Sequence, residues 1–381
     1  MLATHTESPL AELQRLGQSI WLDYIRRDLI TTGKLAELIQ EGVAGLTSNP
    51  AIFEKAIAES HEYDDVLEKL RGQKIFKAAD VYETLAMRDI QDAADLLRPV
   101  YDRTGARDGY VSLEVSPTVA NDTTATIAEA RRLWSAVNRP NLMVKVPATA
   151  AGIPAIEELT SEGINVNVTL LFSQDVYEQV AAAFIRGLER AANPTRIGSV
   201  ASFFVSRVDT MVDKIIEEKL KTAEISERLR LESVLGRAAI ANARLAYQRY
   251  RRIFSSPRWQ ALAARGAQTQ RLLWASTSTK NPRYRDVMYV EELIGPDTVN
   301  TVPPATLEAF RRHGRVRSSL EENIEEAQVV MAKVDAVGIS MREVTDQLTR
   351  DAIRLFAEPY QELLLTIEKK LYKADVPGRL Q

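Results

Sequence analysis

The chain has no cysteine and only three histidines among its 381 residues. Without cysteine there are no disulfides, no thiolate catalysis, no zinc fingers and no iron–sulfur clusters. His5, His61 and His313 are too few and too scattered for a multi-histidine metal site, and "HEYDD" at His61 lacks the second histidine of a zincin motif. No apolar run is long enough to span a bilayer. The N-terminal "MLATHTESPLAEL" has no basic region followed by an apolar core, so it does not read as a secretory signal. An excess of positive charge is also missing. The net charge is −3, which gives no reason to expect a nucleic-acid partner. The local basic runs "RYRRIF" (Arg249 to Phe254) and "RRHGRVR" (Arg311 to Arg317) read as solvated surface. A cytoplasmic enzyme or binding protein, with no membrane association, is the expectation.

What is present is an alternation. Short apolar runs, from "QSIWLDY" through "VAGLTS", "GYVSLEVS", "NLMVKV", "INVNVTLLF", "GSVASFFV" and "RLLWAST" to "DTVNTV", are separated by helical patterns. Strands alternating with helices imply a parallel sheet. About eight such units in over 300 residues predict an α/β fold, a (β/α)8 TIM barrel with additional helices. A doubly wound sheet is the runner-up, but the chain has neither G-x-G-x-x-G nor a Walker A loop. The whole chain, 1–381, reads as one barrel domain. A charged helical insertion is expected at about 60–102, a candidate lid, and C-terminal helices at about 318–373.

Strand parity gives the strongest signal. Successive side chains on a strand face opposite ways. In "LMVKV" Leu142, Val144 and Val146 share one face, while Met143 and Lys145 share the other. The same split sets Asp23 in "IWLD", Glu114 in "VSLEV", Asn167 and Thr169 in "INVNVTL", and Ser202 with Phe204 in "VASFF" on the face away from the helices. That face points into the barrel. Most of these residues sit late in their strands, where barrels place active sites. A hydrogen-bonded polar core is the competing reading, but a lysine and two carboxylates among the set favour chemistry. A lysine among apolar neighbours loses solvation for its charged form. As a neutral amine it can attack a ketone to form a Schiff base, and the iminium is an electron sink for breaking an adjacent C–C bond. Two carboxylates in different environments can move the protons. A structural ion pair with Glu114 or Asp23, or a phosphate clamp, are the alternatives for Lys145.

Four ordered segments resemble the transaldolases, part of the Schiff-base class I aldolase superfamily. They are "GLTSNPAIF" (Gly45 to Phe53), "LMVKVPATAAGIPAIEEL" (Leu142 to Leu159), "GINVNVTLLFS" (Gly163 to Ser173) and "ASFFVSRVD" (Ala201 to Asp209). The length and "ASTSTKNP" are similar to the longer bacterial members, some of which are fused to glucose-6-phosphate isomerase. Whether this chain is a piece of such a fusion is left open, as is the choice between monomer and homodimer. The resemblance implies reversible transfer of a dihydroxyacetone unit between sugar phosphates in the pentose phosphate pathway, without metal or cofactor. By position, Lys145 matches the Schiff-base lysine and Asp23 the acid/base at the C4 hydroxyl. Glu114 with Thr169 matches the pair that activates water. Asn49, Asn167 and Ser202 match the groups that hold the dihydroxyacetone hydroxyls, and Phe204 an aromatic beside them. Arg207 matches the phosphate-binding arginine. After the seventh strand, shorter members carry a serine and an arginine for phosphate. Here Ser276, Ser278 and Lys280 stand there, and lysine is a point charge rather than a bidentate fork. Two other functions compete: a lyase that releases free dihydroxyacetone, whose family pattern resembles this one with Gln in place of Glu114, and a non-catalytic sugar-phosphate-binding barrel.

Overall fold

A computed structural model describes residues 8–59, 61–71 and 77–372. Eight strands close into a barrel in sequence order. They are β1 (Gln18–Asp23), β2 (Val43–Thr47), β3 (Val111–Glu114), β4 (Leu142–Pro147), β5 (Val166–Leu171), β6 (Ser199–Phe204), β7 (Arg271–Ala275) and β8 (Thr298–Val302). Each pairs with its neighbours in parallel, and β1 closes on β8. The fold is the (β/α)8 barrel that the alternation implies. On its outward face Phe203 of β6 meets Trp274 of β7 edge-on at 6.2 Å.

The lower interior is polar and tied by a buried cluster. Arg271 donates to Ser19 Oγ at 2.8 Å and to Asp108 Oδ1 at 2.9 Å, and Trp21 Nε1 donates to the same carboxylate at 3.0 Å. Gly45 leaves room for Trp21; a Cβ there would stand 2.5 Å from the indole, nearer than atoms can pack.

The 60–102 stretch contains the helices Asp64–Arg71 and Ala78–Arg103. The second is the crossover between β2 and β3 and packs on both. Residues 60 and 72–76 of that stretch lie outside the described residues. After β8 come three further helices, Pro304–His313, Ile324–Ala336 and Met341–Tyr372. The last packs against the helices Pro50–Glu59, Asp64–Arg71, Ala78–Arg103 and Ser206–Leu220, and against β5. The two basic runs are largely paired at the surface: Arg249 with Asp175, Arg251 with Glu321, Arg252 with Glu178, Arg311 with Glu41 and Arg317 with Glu292. Among the described residues no helix is long and apolar enough to cross a membrane.

Candidate active site

Strand register decides which side chains meet. Glu114 of β3 pairs with Lys145 of β4, and Lys145 with Asn167 of β5. Pro147 pairs with Thr169, and Asp23 of β1 with Thr47 of β2. These positions lie at the C-terminal ends of their strands. Most of them open into a cavity of about 240 Å³ lined by Asp23, Asn49, Lys145, Thr169, Ser202, Phe204, Arg207, Ser276, Ser278 and Lys280, together with Thr47, Ala275, Thr301, Pro303 and Phe356. Glu114 is not in that lining; it touches the cavity through Lys145 and itself borders a separate pocket with Tyr82 and Tyr360.

Lys145 is buried, only 5% exposed. Its Nζ donates to the Ser48 carbonyl at 3.0 Å and stands 3.5 Å from Glu114 Oε2. The Lys145–Glu114 ion pair, one of the readings open from sequence, is thus present beside a neutral acceptor. Burial raises the Glu114 pKa; the Lys145 charge opposes this and the Asp23 charge adds to it. Burial also raises Asp23, against the pull of Lys145, the Thr47 hydrogen bond at 2.8 Å and Lys280. Both carboxyls therefore hold a proton more readily than an exposed acid. Glu114 Oε2 and Thr169 Oγ1 are buried and make no hydrogen bond among the described residues. Glu114 Oε2 keeps only its ion pair with Lys145, and Thr169 Oγ1 has no partner, so each can still accept or give a hydrogen bond to a ligand or water.

Asn49 caps the helix Pro50–Glu59, its Oδ1 accepting from Ile52 N at 3.0 Å. This leaves the amide NH2 for the cavity. Asn167 is fully buried and is not in the cavity lining. Its Nδ2 donates to Ser112 Oγ at 3.0 Å and its Oδ1 accepts from Ser202 Oγ at 2.7 Å. In this arrangement Asn167 orients Ser202, and Ser202 reaches the cavity. Phe204 stacks obliquely on Phe172 at 5.3 Å and closes one wall.

The far side is cationic. Arg207 is the second residue of the helix Ser206–Leu220, which follows β6. Backbone N–H groups of such a helix start add to its charge for an anion. Lys280 Nζ donates to Ser278 Oγ at 2.7 Å, and Ser276 Oγ lies 3.0 Å from Ser206 Oγ. Burial lowers the pKa of both Arg207 and Lys280, and at Lys280 the Arg207 charge lowers it further against the pull of Asp23. An anion between them would relieve both effects.

Two non-glycine residues bordering the site have left-handed backbone. Ser276 has φ 56° and Leu170, next to Thr169, has φ 61°. At Leu170 the β5–β6 register shifts between Val168 and Leu171. A bulge of this kind re-aims side chains and is concentrated near functional sites. Thr47 and Thr301, bonded to each other at 2.7 Å, follow the same inward parity as Asp23 and could have been read from it. Phe356, on the helix Met341–Tyr372, carries no such signal.

Comparison with known proteins agrees with this geometry. The family model described as transaldolase/fructose-6-phosphate aldolase matches residues 20–367. The transaldolase of Trichodesmium erythraeum is 50% identical over 373 residues, covering 96% of this chain and 98% of that protein. Transaldolase 2 of Nostoc punctiforme is 49% identical, covering 95% and 97%. The transaldolase of a Parafrankia strain is 48% identical, covering 96% and 99%.

Proposed function

We propose that this chain, which belongs to the transaldolase/fructose-6-phosphate aldolase family, is a transaldolase. It would move a dihydroxyacetone unit reversibly from sedoheptulose 7-phosphate or fructose 6-phosphate to an aldose phosphate such as glyceraldehyde 3-phosphate or erythrose 4-phosphate. The observation that carries this reading is a buried amine 3.5 Å from Glu114 that shares one cavity with Asp23 and with the cations Arg207 and Lys280.

The steps follow from the side chains. Arg207 and Lys280, with Ser276 or Ser278, hold the phosphate. Asn49 and Ser202 hold the hydroxyls at the ketone end. Lys145, having passed a proton to the adjacent Glu114, attacks the C2 carbonyl and forms a carbinolamine. Glu114 and Thr169, through a water, return the proton to the C2 oxygen, which leaves as water and gives the iminium. Asp23 takes the proton of the C4 hydroxyl as the C3–C4 bond breaks. The electron pair passes into the iminium, the aldose phosphate leaves, and an enamine stays on Lys145. An incoming aldehyde accepts the enamine carbon, Asp23 returns the proton to its oxygen, and water frees the new ketose. General acid–base steps of this kind supply roughly 10²–10⁴-fold each.

The lyase alternative differs only in the fate of the enamine, and the carboxylate at Glu114 favours transfer. Sugar phosphates in the cytoplasm, with a monomer or homodimer as the working unit, complete the reading. The test is borohydride reduction in the presence of fructose 6-phosphate. A covalent adduct on the Lys145 peptide is expected by mass spectrometry. Finding none, with an active transaldolase reduced alongside, overturns the Schiff-base mechanism.

A further inference from the structure

Among the described residues, Phe356 is the only lining residue of the cavity that does not come from a barrel strand or the segment directly after one. It belongs to the C-terminal helix Met341–Tyr372. Phe356 packs against the core but is only half-buried, and it borders the same cavity as Lys145. Leu363 of the same helix is fully buried, whereas the Phe356 ring keeps one side toward the cavity.

The helix is anchored beyond this point. The Tyr360 ring lies 5.8 Å from Tyr82, and Lys370 Nζ lies 3.4 Å from Asp64 Oδ1. Pro359 stands within the helix between Phe356 and those anchors. Its missing N–H leaves the Leu355 carbonyl without the usual donor four residues on, so the helix is locally weakest beside Phe356. The ring is thus carried by a helix fastened on both sides of it, by Leu348 and Ala352 before and Tyr360 after, with one backbone hydrogen bond missing between.

The chemistry gives an apolar group in this place a task. After the C–C bond breaks, the enamine on Lys145 has two fates. Its carbon can add to the acceptor's aldehyde carbon, whose oxygen takes a proton; this is transfer. Its carbon can instead take a proton from water, and a second water then hydrolyses the iminium to free dihydroxyacetone and the lysine amine; this is release. Most of the remaining lining carries hydroxyl, amide, carboxyl or cationic groups, all of which hold water; Ala275 and Pro303 are small apolar members. Phe204 and Phe356 are the two aromatic rings in the lining, and only an apolar surface denies water a hydrogen-bonded position beside the enamine.

We propose that Phe356 is a positioning residue that sets the ratio of transfer to release, keeping water off the enamine and leaving the acceptor as its partner. This rests on the transaldolase reading above. Phe356→Ala is expected to raise the rate of free dihydroxyacetone release from fructose 6-phosphate several-fold relative to transfer, with a higher KM for the acceptor aldehyde. Phe356→Gln, which keeps much of the length but offers an amide to water, should raise the ratio as well. Phe356→Leu should stay near the parent ratio. Leu363→Ala loosens the same helix without touching the cavity and should also leave the ratio near the parent value. An unchanged ratio in both Phe356→Ala and Phe356→Gln, or an equal rise in Leu363→Ala, overturns the inference. Borohydride trapping on each protein separates the two readings. Absence of the Lys145 adduct in the parent sinks the functional assignment, whereas an adduct with an unmoved ratio sinks only the role of Phe356.

Discussion

Lys145 Nζ gives its hydrogen bond to the Ser48 carbonyl at 3.0 Å, and Glu114 Oε2 stands 3.5 Å from the same nitrogen. The amine is thus held in place by a neutral backbone oxygen, and the carboxylate beside it is left for proton traffic. If Glu114 were only a counter-ion, a neutral isostere would disturb packing and little else. In the proposed mechanism it activates water, and is then needed at each dehydration and hydration. Glu114→Gln is therefore expected to lower transfer by roughly 10²–10⁴-fold and to change inhibition by inorganic phosphate little. Steady-state transfer rates and phosphate inhibition constants check this. Equal losses in both would contradict the role.

Arg207 and Lys280 face one another's charge at the edge of the cavity, and burial disfavours both cations. Each should gain from a bound phosphate. A hydrogen bond to a charged group contributes about 1.5–3 kcal/mol, so Arg207→Ala should raise KM for fructose 6-phosphate roughly ten- to a hundred-fold. Lys280→Ala should act in the same direction but less, because its head is more exposed and screened. Turnover of unphosphorylated fructose should respond little to either change. A comparable loss on fructose would place these cations in the chemistry and not at the phosphate.

The barrel was legible because period-two apolar faces and helical spacers leave few other topologies. The inward parity of Asp23, Glu114, Lys145, Thr169 and Ser202 likewise predicts a shared interior; the register sets Glu114 beside Lys145, and Asp23, Lys145, Thr169 and Ser202 line one cavity. Parity cannot tell one end of the barrel from the other. Arg271, Ser19 and Asp108 form a structural polar cluster at the opposite end, and only position along the strand separates that cluster from the site. Backbone features leave still less trace. Nothing in "SNP" marks the Ser48 carbonyl as the partner of Lys145, and nothing in "TLLF" marks Leu170 as left-handed. Phe356 was illegible because an apolar stripe on a helix reads as core packing, and which helix crosses the mouth is a tertiary fact.

That opposite cluster supports a stability prediction. Arg271 is 3% exposed at its side chain, and Asp108 Oδ1 takes hydrogen bonds from both Arg271 and Trp21. Removing the acid leaves a buried guanidinium without its counter-charge, which costs about 3–5 kcal/mol. Asp108→Ala should lower the urea midpoint accordingly, while molecules that remain folded keep their transfer activity, since no residue of the cluster lines the cavity. Asp95→Ala, which breaks the exposed pair with Arg139, should shift the midpoint far less. Loss of activity in Asp108→Ala well below its midpoint would show that the two ends of the barrel are coupled.

Asp209 lies two residues beyond Arg207 on the helix Ser206–Leu220, and it ties that helix to its neighbours. Its Oδ1 accepts from Ala239 N at 2.7 Å and its Oδ2 from Tyr289 OH at 2.9 Å. Burial, with the nearby Asp213 charge adding, pushes its pKa up to about 7 despite those bonds. The folded state then holds the proton more tightly than the unfolded chain, whose carboxyl titrates near 3.8. Below that value both states are protonated and the group's contribution to stability is complete. As pH rises from about 4 to about 7 the unfolded chain releases its proton first, so the contribution falls, by about 1.4 kcal/mol per pH unit in mid-window. Above the folded value both states are ionised and the loss is finished. Asp209→Asn has no proton to exchange and can still accept from Ala239 through its carbonyl oxygen. The parent's stability should therefore decline relative to the variant's across that window and run parallel to it above. Urea unfolding of both proteins at several pH values measures the difference, and parallel curves throughout would mean that Asp209 is ionised in the fold.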